Sequence, residues 1–256
     1  MRLSDQATLL MRRSNKVVYR DGDRVIKVFD KEKPSYDVFN EALNISRIEA
    51  CGVRLTGVIE VSQVEGGEHD GAWALANRYI PGQTLRALLI EQPQRVEELL
   101  TRFVDFQASV QEARSPQLVR QKDKLSRMVA ATRGTLDASM RYELHRRIDG
   151  MRIEDRVCHG DYVPSNVIVG EDGELYLCDW SHVTAGIPEI DAAMTYLLLT
   201  MNYPDFARSY LELWCTKTDT ARQIIKHWLP VVAAAELSRG REQHRAYLLS
   251  FLDVEE

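Results

Sequence analysis

In VVYRDGDRVIKVF, residues 17–29, apolar side chains alternate with charged ones on both sides of Asp21-Gly22-Asp23. A period of two interrupted by an Asp-Gly turn predicts a β-hairpin, since such turns need residues that accept a positive φ. From Ser35 to Ala50 the spacing changes to that of a helix, with Val38, Phe39, Ala42, Ile45 and Ile48 on one side and Cys51-Gly52 as the stop. Two further β-rich runs, residues 53–64 and 71–80, flank the polar, glycine-containing EGGEHDG and predict a second hairpin. Pro81-Gly82 then closes the sheet pattern.

From Thr84 to Ser115 the pattern is helical, with Val96, Leu99, Leu100, Phe103, Val104 and Val110 forming one apolar stripe. Residues 118–131 and 137–149 repeat it more weakly. A third short hairpin is predicted where VIVG and ELYLCDW surround Glu171-Asp172-Gly173. Residues 189–252 are helical again, and AAMTYLLLTM within them is apolar enough for a core helix yet too short to span a bilayer. A sheet-rich segment with one helix, a break, and a helical segment with one embedded hairpin make an α+β architecture.

With 256 residues, 45% of them apolar, the chain can bury a sizeable core as one large domain or two lobes. Its formal charge of −5 argues against a nucleic-acid partner, which calls for a basic face. The N-terminal MRLSDQATLLMRRSNK has no apolar run long enough for a signal peptide or a membrane span, so a cytoplasmic protein without a membrane partner is expected. The four cysteines form no C-x-x-C pair, which suits reduced, buried thiols.

The chemistry concentrates in CHGDYVPSNVIV, residues 158–169, where a polar turn runs straight into a strand. A short hairpin brings its outer ends together, so Asn166 before the first strand and Asp179 after the second are expected to face each other. A carboxamide and a carboxylate oxygen at one point suit a hard cation such as Mg²⁺ that takes its other ligands from water and phosphates. Asp161, just upstream, is placed to orient a hydroxyl or accept its proton.

His159-Gly160-Asp161 followed by Asn166 resembles the H-G-D-x-x-x-x-N motif of the aminoglycoside phosphotransferase and choline kinase family, the small-molecule branch of the protein-kinase-like fold. Cys178-Asp179-Trp180-Ser181 is similar to that family's counterpart of the kinase D-F-G. The resemblance covers nearly the whole chain and implies a bilobal fold. Residues 1–80 would be a small β-sheet lobe with one helix that binds nucleotide. Residues 81–256 would be a mainly helical lobe with the catalytic loop, metal site and acceptor pocket.

The same resemblance implies further roles. Lys27, paired with Glu41, would hold the phosphates of ATP or GTP, with Val28 or Ile26 facing the base. NRYIPGQTL resembles the family's hinge, so the backbone of Arg78, Tyr79 and Ile80 would meet the base edge. Asp191 in GIPEIDAAMTYLL would brace the catalytic loop, and His159 would stabilise it by hydrogen bonding. The turn Arg12-Arg13-Ser14-Asn15-Lys16 stands where a phosphate-covering loop is expected but contains no glycine; its Ser-Asn resembles the family's, which implies a phosphate contact from Ser14 or from the backbone of residues 12–16.

The implied activity is transfer of a γ-phosphoryl group to a hydroxyl of a small polar molecule, an aminoglycoside-like antibiotic or a choline-, thiamine- or sugar-type metabolite. Glu189, Asp205, Glu212 and the terminal Asp253, Glu255 and Glu256 are the acids available to a cationic acceptor, the terminal ones reading rather as a solvated tail. The rival reading is a nucleotide-binding pseudokinase acting as sensor or scaffold. Retention of Lys27, Asp161, Asn166 and Asp179 weighs against it.

Overall fold

The computed structural model describes residues 1–13 and 15–252. In chain order the strands and helices begin with β1 (Thr8–Arg13), β2 (Lys16–Asp21), β3 (Arg24–Phe29), α1 (Ser35–Glu49), β4 (Val58–Gln63), β5 (Trp73–Arg78), β6 (Gly82–Thr84) and α2 (Leu85–Glu91). They continue with α3 (Val96–Glu112), α4 (Gln121–Ala131), α5 (Ala138–Asp149), β7 (Arg156–Cys158), β8 (Val167–Gly170), β9 (Leu175–Leu177) and β10 (Thr184–Gly186). Four helices follow: α6 (Pro188–Asn202), α7 (Pro204–Thr218), α8 (Arg222–Leu237) and α9 (Arg245–Leu249). By its internal contacts the chain divides into two compact units, one of Met1–Ala87 with Ser165–Ser181, the other of Leu88–Pro164 with the chain from His182 onward. The hairpin carrying Asn166 and Asp179 thus groups with the sheet-rich residues, not with the helices that surround it in sequence.

The first unit holds a five-stranded antiparallel sheet in the order β1-β2-β3-β5-β4. Its β2–β3 hairpin turns at Gly22, whose φ of 64° is the positive value that the Asp-Gly signal anticipates. In the register Lys27 lies opposite both Val18 and Leu75, and Val25 lies opposite Asn77. Directly paired residues share a face of the sheet. Val18, Val25, Lys27 and Asn77 therefore point one way.

Ile26 and Val28 point the other way, into a core with Met1, Val64, Ala72, Ala74 and Ala76. The expectation that one of them faces a base is corrected by this register: Ile26 is 0% and Val28 1% exposed.

α1 buries Val38, Glu41, Asn44, Ile45 and Ile48 on its inner face. A second, three-stranded sheet of order β6-β8-β9 completes the unit. Gly82 pairs with Gly170 there at φ 150°, where a Cβ would fall on the Val169 carbonyl oxygen, so glycine is required.

The second unit is helical apart from the antiparallel pair β7 and β10. Leu99, Leu100, Phe103, Val104 and Val110 of the predicted α3 stripe are all buried. The apolar stretch AAMTYLLLTM lies in α6, most of whose residues are buried. Among the described residues no helix is long and apolar enough to cross a membrane. None of the four cysteines is in a disulfide. Strands β1, β6, β7 and β10 have no counterpart in the sequence pattern.

Candidate active site

Lys27 sits in β3 with its side chain on the face away from the apolar core, and α1 presents Glu41 to it. The ammonium donates to Glu41 Oε1 at 2.6 Å, and both side chains are almost withdrawn from solvent. Burial alone would push the Lys27 pKa down. The Asp179 and Glu41 carboxylates outweigh it and hold the value above that of an ordinary lysine, so the charge persists. Asp37, one turn earlier on α1, pairs instead with Lys33 at 3.3 Å.

The β8–β9 hairpin pairs Val167 with Leu177, and just beyond that pair the Cys178 N–H donates to the Asn166 carbonyl at 3.0 Å. The outer ends of the hairpin are therefore adjacent. Asp179 follows in the left-handed region, φ 65°, a conformation that costs a non-glycine residue about 1 kcal/mol and that collects at functional sites. Its Oδ2 meets Lys16 Nζ at 2.9 Å, while its Oδ1 lies 3.6 Å from Lys27 Nζ and accepts from Ser181 Oγ at 3.1 Å. Trp180, fully buried, anchors the bend by donating to Leu177 O at 3.1 Å, and Asn44 of α1 donates to the Trp180 carbonyl. Burial pushes the neighbouring Cys178 thiol up to about 12, so it stays protonated.

Lys16, Lys27, Asn166, Cys178 and Asp179 border one cavity of about 370 Å³ within the first unit. Val18, Val25 and Ile168 supply apolar wall, and Lys16, Lys27, Asn166 and Asp179 supply the polar end. Among the described residues no group of three or more His, Cys, Asp or Glu side chains could hold a metal ion. A carboxamide–carboxylate pair fits a hard divalent cation that draws its remaining ligands from phosphates and water.

Tyr79 and Ile80 line the same cavity, whereas Arg78 does not. The N–H of Arg78 already donates to Gly57 O and that of Tyr79 to Asp23 O. Asn77, absent from the sequence reading, also lines the cavity. Its Nδ2 donates to Thr56 O at 3.0 Å, which fixes the amide orientation and leaves the buried Oδ1 without a hydrogen-bond partner. A lone polar residue after the apolar Ala-Leu-Ala of β5 is the one signal that could have singled it out. Lys16 was likewise unassigned. Ser14 lies outside the described residues.

In the second unit His159 is buried, and its Nδ1 accepts from the Asp161 N–H at 3.3 Å. Asp191, 2% exposed, accepts from the Gly160 N–H at 2.7 Å through Oδ1 and from Gln111 and Gln107 through Oδ2. Gly160 has φ 74°, and a Cβ on it would lie 2.7 Å from the His182 carbonyl oxygen. That same oxygen accepts from Lys124 Nζ at 2.6 Å. Burial, reinforced by the Arg239 charge, pushes the Lys124 pKa down to about 7.

Of the acids available to a cationic acceptor, Glu189 is taken by both oxygens in a 2.8 Å pairing with Arg152, and Glu212 pairs with Arg208 at 3.1 Å. Asp205 is exposed. Asp253, Glu255 and Glu256 lie outside the described residues.

An antiparallel sheet holding a buried lysine–glutamate pair in one unit, and a helical unit carrying an H-G-D loop in the other, define a protein-kinase-like α+β fold. The chain belongs to the phosphotransferase enzyme family, whose model matches residues 8–225. Among solved structures it is similar to a thermostable mutant of aminoglycoside phosphotransferase APH(4)-Ia in ternary complex with ADP and hygromycin B. That match has a TM-score of 0.71 and 12% identity and covers 97% of this chain and 92% of the other. The streptomycin–ATP–APH(2")-IIa ternary complex matches with a TM-score of 0.62 and 13% identity, covering 97% and 90%. A choline/ethanolamine kinase family protein from Mesorhizobium loti matches with a TM-score of 0.61 and 14% identity, covering 98% and 89%. No curated protein gives a significant sequence match.

Proposed function

We propose that the protein transfers the γ-phosphoryl group of ATP, or of GTP, to a hydroxyl of a small polar molecule. The observation that carries this reading is Lys27 on the wall of the first unit's cavity, held from behind by the buried Glu41, with Asp179 3.6 Å from the same ammonium. Phosphoryl transfer has a loose transition state, so it asks a protein for alignment and charge neutralisation more than for covalent chemistry. In this reading Lys27, oriented by Glu41, aligns the α- and β-phosphates. Asn166 and Asp179 would hold Mg²⁺, which would neutralise part of the negative charge on the phosphate oxygens. Val18 and Val25 cover the base, and the backbone of Tyr79 and Ile80, rather than that of Arg78, is the segment that meets its edge.

Asp161 positions the acceptor hydroxyl and takes its proton as the new O–P bond forms, while His159 and Asp191 hold the loop that carries it. The expected division into a nucleotide lobe of residues 1–80 and an acceptor lobe of 81–256 is kept with one change, that the hairpin of Ser165–Ser181 serves the nucleotide side, as does the chain to Ala87. The support for a nucleotide donor and a hydroxyl acceptor is the family itself, together with the ADP–hygromycin B and streptomycin–ATP complexes of proteins with this fold. An aminoglycoside-like antibiotic and a choline-, thiamine- or sugar-type alcohol are the acceptor classes, and the cytoplasm, where ATP is abundant, is the compartment.

The test is a panel of hydroxyl compounds offered with ATP or GTP and Mg²⁺, scored by the mass of a phosphomonoester product. One phosphorylated acceptor is the expected result. Nucleotide binding with no product across a broad panel would point to a sensor, and absence of nucleotide binding would remove the reading altogether.

A further inference from the structure

Two ammonium groups meet on one carboxylate. Lys16 Nζ lies 2.9 Å from Asp179 Oδ2, and Lys27 Nζ lies 3.6 Å from Asp179 Oδ1. All three side chains border the same cavity and are no more than 16% exposed. Lys27 is also held by Glu41, so its position is fixed from two sides. Lys16 opens β2, its backbone set by pairing with Arg13 and Phe29, while its flexible four-carbon stem lets the ammonium turn.

The sequence ahead of it, Arg12-Arg13-Ser14-Asn15, contains no glycine. It therefore lacks the residue that most readily lets successive backbone N–H groups close on phosphate oxygens.

We propose that Lys16 is a second phosphate-binding cation of this cavity, serving in place of a glycine-rich cradle, and that it competes with the divalent cation for Asp179. The inference rests on the reading that the cavity takes a nucleotide with Mg²⁺. An ammonium 2.9 Å from a carboxylate lowers that carboxylate's affinity for a second cation. Metal on Asp179 correspondingly releases Lys16 toward the phosphates. Removing Lys16 then has two effects of opposite sign: where no metal is supplied, the phosphates lose a nearby cation and face an Asp179 carboxylate that Lys16 no longer offsets, so nucleotide binding weakens, and the metal requirement falls. A residue that merely supports the strand would produce neither split.

The experiment is calorimetric titration of the full chain with ADP, first in EDTA and then across a Mg²⁺ series, for the wild type, Lys16→Met and Lys16→Arg. In EDTA, Lys16→Met is expected to bind ADP about tenfold more weakly, the order of one lost charge contact in a partly buried site. Lys16→Arg is expected to stay within about twofold of the wild type, since it keeps the charge. The Mg²⁺ concentration at half-effect is expected to fall in Lys16→Met.

Equal ADP affinity in EDTA and an unchanged Mg²⁺ midpoint would overturn the proposal. If Lys16→Met is too unstable to titrate, loss of binding by Lys16→Arg would overturn it and retention would uphold it. A wild type that binds no ADP even with Mg²⁺ would instead sink the nucleotide site, and Lys16's role with it.

Discussion

Lys27 of β3 donates to Glu41 of α1 across 2.6 Å, and the two side chains are nearly sealed from solvent. Removing the only partner of a buried charge costs about 3–5 kcal/mol; Lys27 keeps Asp179 at 3.6 Å, so the loss of Glu41 should cost less than that, though still more than a surface pair. Glu41→Gln is therefore expected to lower the urea midpoint, whereas Asp37→Asn leaves it within error. Because the Lys27 pKa is raised, its stabilisation is complete below the unfolded lysine value of about 10.4 and fades only above it. The destabilisation by Glu41→Gln should accordingly be flat across the neutral range.

Asp161 and Asp179 are assigned different work, which kinetics and binding can separate. Asp161→Ala is expected to lower kcat by roughly 10²–10⁴-fold while thermal stabilisation by ATP with Mg²⁺ persists. Asp179→Ala is expected to abolish the extra stabilisation that Mg²⁺ adds to ATP. Equal loss of nucleotide binding in both variants would contradict the division.

Gly160 has φ 74° and is crowded by the His182 carbonyl oxygen, so the loop accepts no side chain there. Gly160→Ala should cost about 1–3 kcal/mol in backbone strain and displace the loop that carries Asp161. The expected signature is a lowered melting temperature and a large drop in kcat, with nucleotide KM little changed.

Lys124 supplies a pH signature. Its folded pKa is pushed down to about 7, while an unfolded lysine titrates near about 10.4. Between these values the unfolded chain holds a proton that the folded chain does not, so stability rises with pH by up to about 1.4 kcal/mol per unit from this group. Lys124→Met removes that slope. Urea unfolding from pH 7 to 9.5 should show the wild type gaining on the variant steadily, and parallel curves would refute the assignment.

The β2–β3 hairpin is legible because an Asp-Gly turn states its own backbone conformation. β1 is not legible: all six residues of TLLMRR are exposed, so no alternation marks the strand, which is defined by its pairing with β2. β6, β7 and β10 have three residues each, too few for any period to register. At the site, Lys27 and Glu41 can be named from the family resemblance, but which neighbours share the cavity face with Lys27 cannot. β3 is buried from Ile26 through Phe29, so burial falls on both faces and only the register with β5 decides that Val25 and Asn77 accompany the lysine. Lys16 escapes sequence reading for another reason: its carboxylate partner is 163 residues away.

The sheet-rich unit is discontinuous, closing only when Ser165–Ser181 joins Met1–Ala87. A nascent chain emerging from the ribosome can pair β1 to β5 early, yet β6 has no partner strand until β8 has been translated. A fragment truncated after Ala87 would contain Lys27 and Glu41 but would leave that lysine facing no Asp179. Acquisition of the polar end of the cavity is thus timed to late synthesis, and an mRNA broken in its middle yields a sheet without that end.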